Sequence, residues 1–133
     1  MKLRLIVAIL LVYSAAILLA DAKSISDQNV NLQWEDSDRD NLSIYRLADS
    51  YCKQLHLGGY NDWRLPTKLE LTQLSKNKSL KKKFKYMVDD VYWSSSQDQK
   101  MRHHYLSVYL GNGYVSSTYT CDKIASICVR EIK

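Results

Sequence analysis

Apolar and polar positions alternate in three different ways along this chain. From Leu5 to Leu19 they hardly alternate: the run is almost unbroken apolar and follows the basic start Met1-Lys2-Leu3-Arg4. It is shorter than the roughly 20 residues that a comfortable membrane-spanning helix needs. Ala20-Asp21-Ala22 then supplies an A-x-A cleavage pattern. Residues 1–22 are expected to be a bacterial-type secretory signal peptide, with an uncleaved membrane anchor as the other outcome. No cysteine lies near the cut, so nothing points to a lipoprotein.

The second pattern is helical. Ile44, Leu47, Ala48, Tyr51, Cys52 and Leu55 fall on one face of a 3.6-residue period. Asn41 or Ser43 is placed to cap the start, and Gly58-Gly59 to stop the helix. A second helix is predicted after Pro66, because Thr67-x-x-Glu70 has capping-box spacing and Leu71 and Leu74 supply apolar contacts. Pro66 also holds Leu65 in extended geometry.

The third pattern has the period of a strand. Asn31-Leu32-Gln33-Trp34 reads as a short strand, preceded by a polar stretch, 23–30, expected to be a flexible tail. Residues 91–96 (VYWSSS) begin as a strand, and 105–110 alternate Leu106, Val108 and Leu110 against Tyr105, Ser107 and Tyr109. Gly111-Asn112-Gly113 offers a hairpin turn, residues 114–119 pair back, and 126–132 form a last strand. A strand, two helices and then several antiparallel strands make an α+β fold, not a βαβ repeat. The acidic stretch 35–41 (EDSDRDN) is expected to be a solvated loop. It lacks EF-hand spacing and the glutamate that closes such a loop.

With 133 residues the chain has room for one domain and a modest core, here residues 31–133. The formal charge is +5, and losing Lys2, Arg4 and Asp21 with the leader leaves +4, a mild bias toward anionic partners. Much of that bias is local: Lys76, Lys78, Lys81, Lys82, Lys83 and Lys85 crowd around a single Phe84 expected to pack inward. Three cysteines, Cys52, Cys121 and Cys128, allow three single-bridge pairings, each leaving one thiol.

Several stretches together carry a family resemblance. They are Leu32-Gln33-Trp34-Glu35-Asp36, Ala48-x-x-Tyr51-Cys52-x-x-Leu55, Gly59-Tyr60-Asn61-Asp62-Trp63-Arg64-Leu65-Pro66-Thr67-x-x-Glu70-Leu71, Tyr92-Trp93-Ser94-Ser95-Ser96 and Cys128-Val129-Arg130. In that order the chain resembles the Lcl C-terminal domain family, named after a collagen-like bacterial adhesin. The resemblance implies a C-type-lectin-like fold, related to the formylglycine-generating enzymes, with two helices beside a twisted antiparallel sheet and the termini close together. It also implies one disulfide, Cys52 to Cys128, and a fold signature of Trp34, Asp62, Trp63, Arg64, Pro66, Trp93 and Arg130. This sequence contains neither a collagen-like repeat nor the calcium-binding tripeptides of sugar-binding C-type lectins.

The candidate chemistry is sparse. Asp62, Trp63 and Arg64 could form a carbohydrate site, but a core tryptophan flanked by charges that satisfy buried backbone or each other is the stronger reading. Ser94, Ser95 and Ser96 have no positioned base. His103 and His104 would point to opposite faces of a strand, so no metal site is expected, nor any cofactor. The lysines are the strongest lead, with a solvated helix end or loop that only aids solubility as the alternative. Lys81-Lys82-Lys83-Phe84-Lys85 is similar to a sulfated-glycan recognition pattern, and lysines bind sulfate and carboxylate as hydrated point charges. The adhesin behind the family name points to glycosaminoglycans as well.

The expected function is therefore a non-catalytic, exported (periplasmic or extracellular) binding domain. Its ligand would be an anionic glycan, an anionic polysaccharide of the envelope or another envelope polymer, held by Lys78, Lys81, Lys82, Lys83 and Lys85. The alternative is a structural or interaction module that meets an envelope protein through the tyrosine-rich stretch 105–119. An oxidase using Cys121 and Cys128 is a third reading. Nucleic acid is not expected, and a membrane enters only through an uncleaved leader.

Overall fold

A computed structural model describes residues 22–133. The leader and its cleavage lie outside the described residues apart from Ala22, and no helix among the described residues is long and apolar enough to cross a membrane. The elements in chain order are β1 (Ala22–Asp27), β2 (Leu32–Ser37), α1 (Tyr45–Gln54), α2 (Lys68–Lys76), α3 (Lys78–Lys81), β3 (Val91–Gln97), β4 (His104–Tyr109), β5 (Val115–Tyr119) and β6 (Val129–Glu131). The strands form two antiparallel three-stranded sheets, ordered β1-β2-β6 and β3-β4-β5. The fold is thus α+β as expected, with the sheet divided in two and a third, short helix added. Both ends of the domain meet in the first sheet, where β2 pairs with β1 on one side and β6 on the other.

Strand alternation builds the core in two parts. Tyr92, Val129, Leu32 and Trp34 face a cluster with Leu71, Leu74, Leu80, Phe84, Val108 and Leu110. Their chain neighbours Trp93 and Cys128 face the other way, into a cluster with Ala48, Cys52, Leu57, Trp63 and Leu65. The second cluster holds the bridge between Cys52 of α1 and Cys128 just before β6, at a sequence separation of 76. Cys121 is the free, exposed cysteine. The oxidase reading of Cys121 with Cys128 loses its thiol pair, because Cys128 is bonded to Cys52.

Helix α2 starts as its sequence dictates. The Thr67 hydroxyl accepts from the Glu70 amide at 3.1 Å, and the Glu70 carboxylate accepts from the Thr67 amide at 2.8 Å. Helix α1 departs from expectation at both ends. Its cap position is Ile44, with no side-chain cap, because Ser43 instead exchanges backbone bonds with Ile124 at 3.0 and 3.2 Å. It ends at Gln54, before the glycines; Gly58 and Gly59, at φ +65° and +82°, make the tight turn that pairs Leu57 with Tyr60. Leu47 lies off the buried face and is exposed.

Strand pairing and burial account for three further departures from expectation. Residues 23–30 are not a tail. They form β1 and a turn that closes at Asn31 with φ 54°. The last strand shrinks to Val129–Glu131, because residues 126–128 run from β3, where the Ala125 amide donates to Val91 and the Trp93 amide to Ala125, to β2, where Val129 pairs with Trp34. The acidic stretch is not a solvated loop at its start. Strand β2 runs through Glu35 and Asp36, whose side chains are only 3% and 4% exposed.

Two stability outcomes follow. The chain-entropy account of the 76-residue bridge gives about 4 kcal/mol, so Cys52→Ser should lower urea-unfolding stability by roughly that amount, while Cys121→Ser changes it by less than about 0.5 kcal/mol. Glu35→Ala should cost about 3–5 kcal/mol in the same measurement, because it leaves buried partners without their charge.

Candidate functional site

The lysine segment is shaped by what its apolar residues bury. Leu80 and Phe84 point into the first core cluster, four residues apart. Asn77 starts the turn: its Oδ1 accepts from the Leu80 amide at 3.1 Å and from the Ser79 hydroxyl at 3.0 Å. Lys82 donates its amide back to Lys78, so these two lysines stand on neighbouring turns of one face. Like charges at that spacing cost a few tenths of a kcal/mol, a penalty that an external anion removes. Lys78, Lys82 and Lys83 are exposed and enter no ion pair among the described residues.

Lys81 behaves differently from its neighbours. It is turned inward, with its side chain 17% exposed, and its Nζ donates to the Leu110 carbonyl at 2.7 Å and to Asp89 at 2.9 Å. The expected ligand lysine is thus held by the fold. Lys85 is exposed, its Nζ lies 5.1 Å above the Tyr86 ring, and its backbone is fixed: the Lys85 and Tyr86 amides donate to the two carboxylate oxygens of Asp36, each at 2.9 Å. A buried acid of β2 therefore pins the C-terminal end of the basic segment.

Between these residues lies an open depression of about 360 Å³ lined by Lys78, Lys81, Lys82, Met87 and Asp89. Depressions between the β1–β2 turn and α2 carry Asp27, Glu70 and Glu131, and a cavity of about 20 Å³ beside Glu35 and Arg39 has room for one water. The lysine depression has three cations on its wall. Sequence reading missed Met87 and Asp89; the switch from lysines to Asp89-Asp90 was the available signal.

The signature residues do structural work. Trp34, Trp63 and Trp93 are buried; the Trp63 indole donates to the Leu57 carbonyl and the Trp93 indole to Ser43. Pro66 is buried, and its carbonyl accepts the Ser95 amide. Asp62 and Arg64, two residues apart, reach different partners. Arg64 grips Glu70 with two bonds of 2.8 and 2.9 Å, and Asp62 takes Arg130 at 2.6 Å. Arg130, 4% exposed, also donates to Gln33 and lies 3.5 Å from the Tyr60 ring centre. The Asp62-Trp63-Arg64 stretch therefore presents no shared ligand surface. Ser94 donates to the Leu106 carbonyl, and the Ser96 hydroxyl accepts the Lys68 amide. His104 Nδ1 lies 2.9 Å from the Arg102 carbonyl, and no cluster of metal-binding side chains occurs among the described residues.

The profile described as the Lcl C-terminal domain matches residues 23–131, so the chain belongs to that family. Among solved structures, the crystal structure of botrocetin is similar, with a TM-score of 0.52 and 13% identity, covering 84% of this chain and 96% of that one. That likeness places the fold among the C-type-lectin-like domains. Comparison with curated proteins finds no match.

Burial pushes the Glu70 carboxyl up, but the Arg64 bond and the Thr67 amide outweigh it and hold the pKa below its ordinary 4.5. The contribution is therefore complete above pH 4.5 and lost as pH falls through the lower folded value. Glu70→Gln should cost about 2 kcal/mol at neutral pH and flatten the acid side of the stability profile, read by chemical denaturation at a series of pH values.

Proposed function

We propose that this member of the Lcl C-terminal domain family is a non-catalytic, exported binding domain whose lysine face takes up an anionic glycan or envelope polymer. The observation that carries the reading is the pairing of Lys78 and Lys82 on one exposed face, with Lys83 beside them, over a segment whose backbone is fixed by Asp36. A lysine segment with an anchored backbone loses less backbone freedom on binding than a mobile one. Lysine rather than arginine suits a hydrated, sulfate- or carboxylate-bearing chain read by charge spacing rather than by forked hydrogen bonds. The disulfide supports an oxidising compartment outside the cytoplasm.

A second reading rests on the exposed Tyr109, Tyr114 and Tyr119 around β4 and β5, which would suit a protein partner. The two readings separate by salt, since charge-based binding weakens steeply as ionic strength rises.

On immobilised heparin, the purified protein should elute late in a salt gradient, and Lys78→Glu/Lys82→Glu/Lys83→Glu early. Equal late elution of both would remove the lysine face as the binding surface. Early elution of both would move the search to the tyrosine face.

A further inference from the structure

We infer that Asp89 is a built-in counter-anion of the lysine depression, which an incoming polyanion must displace and which sets the selectivity of the face for densely charged chains. The inference rests on the polyanion reading of that face. Asp89 and Lys81 share the wall of the depression with Lys78, Lys82 and Met87. Their exposures are unequal: Asp89 is 51% exposed and Lys81 17%, at 2.9 Å. The carboxylate is the outer partner. An anion entering the depression meets the Asp89 carboxylate beside the Lys81 ammonium.

The other acids near this face are committed elsewhere. Asp36 is buried and bound to two backbone amides. Asp90 accepts the Val91 amide with its side chain and the Leu110 amide with its carbonyl. Asp89 has its ion pair with Lys81, and an ion pair with one half-exposed member is weak enough to be exchanged. Lys81 also donates to the Leu110 carbonyl at 2.7 Å, a bond that does not involve Asp89.

The consequence is a threshold. An isolated carboxylate or sulfate gains no more from Lys81 than Asp89 already provides, so exchange brings nothing. A chain whose charges reach Lys78 and Lys82 at once gains those contacts as well, and the exchange at Lys81 then follows. Asp89 thus excludes sparse anions without a steric barrier, by the same repulsive logic that makes interfaces selective.

The test compares Asp89→Asn with Asp122→Asn, an equal change of net charge at an exposed site outside the depression. Heparin affinity is titrated over a range of salt. Asp89→Asn should bind at least threefold tighter than Asp122→Asn, and its log–log salt dependence should steepen by roughly one, as Lys81 joins the contact. Adding Lys81→Gln to Asp89→Asn should return the slope to that of the parent. Equal tightening by the two aspartate variants would overturn the inference, leaving net charge alone. Weaker binding by Asp89→Asn would overturn it in favour of Asp89 as a support for Lys81. No heparin binding by parent or variants would defeat the polyanion reading itself, and this inference with it.

Discussion

Glu35 is the constraint on which most of the domain depends. A carboxylate that is 3% exposed must find donors inside the protein. Arg39 supplies two bonds, at 2.8 and 3.1 Å, the Tyr51 hydroxyl a third at 2.8 Å and the Cys128 amide a fourth at 3.1 Å. The donors come from the loop after β2, from α1 and from the segment entering β6. The Glu35 amide in turn donates to the Cys128 carbonyl at 2.9 Å, and the Cys52–Cys128 bridge ties the same helix to the same segment. Covalent and charged links thus converge on one point. Burial, followed by the neighbouring Glu35 charge, pushes the Tyr51 phenol up to about 12, so it remains a donor throughout the neutral range.

The next residue extends the constraint to the functional surface. Strand alternation turns Asp36 away from Glu35, and its carboxylate accepts the Lys85 and Tyr86 amides. One end of the lysine segment is therefore fixed to β2, while Asn77 fixes the other through the Leu80 amide. Leu80 and Phe84, buried between these anchors, leave Lys78, Lys82 and Lys83 outside. The charge pattern of the face follows from backbone bonds, the anchors at Asn77 and Asp36 and the turn that joins Lys82 to Lys78.

Local chemistry was legible in the sequence, and long-range chemistry was not. The Thr67–Glu70 box, the extended Pro66 segment and the hairpin through Gly113 depend on residues a few positions apart, and each is where the sequence puts it. The disulfide followed from the family resemblance. The acidic stretch was misread because Glu35 and Asp36 find donors as far away as Cys128 and Lys85, and density of acids alone signals solvation. Residues 23–30 looked like a tail because β1 is an edge strand with mostly polar side chains, of which Ile25 packs against the core. Lysine counting gave the basic face but not its directions: Lys81 turns inward to Leu110 and Asp89, and no spacing rule distinguishes it from Lys82.

The most direct test of the anchoring account is the heparin affinity of Asp36→Asn, with folding checked by circular dichroism. An asparagine keeps one acceptor oxygen and presents an NH₂ group where the second amide needs an acceptor. The substitution also raises the net charge by one. Anchoring predicts weaker binding despite that added charge, because the lysine segment loses its fixed backbone. Tighter binding by a folded Asp36→Asn protein would contradict the account and leave net charge as the determinant.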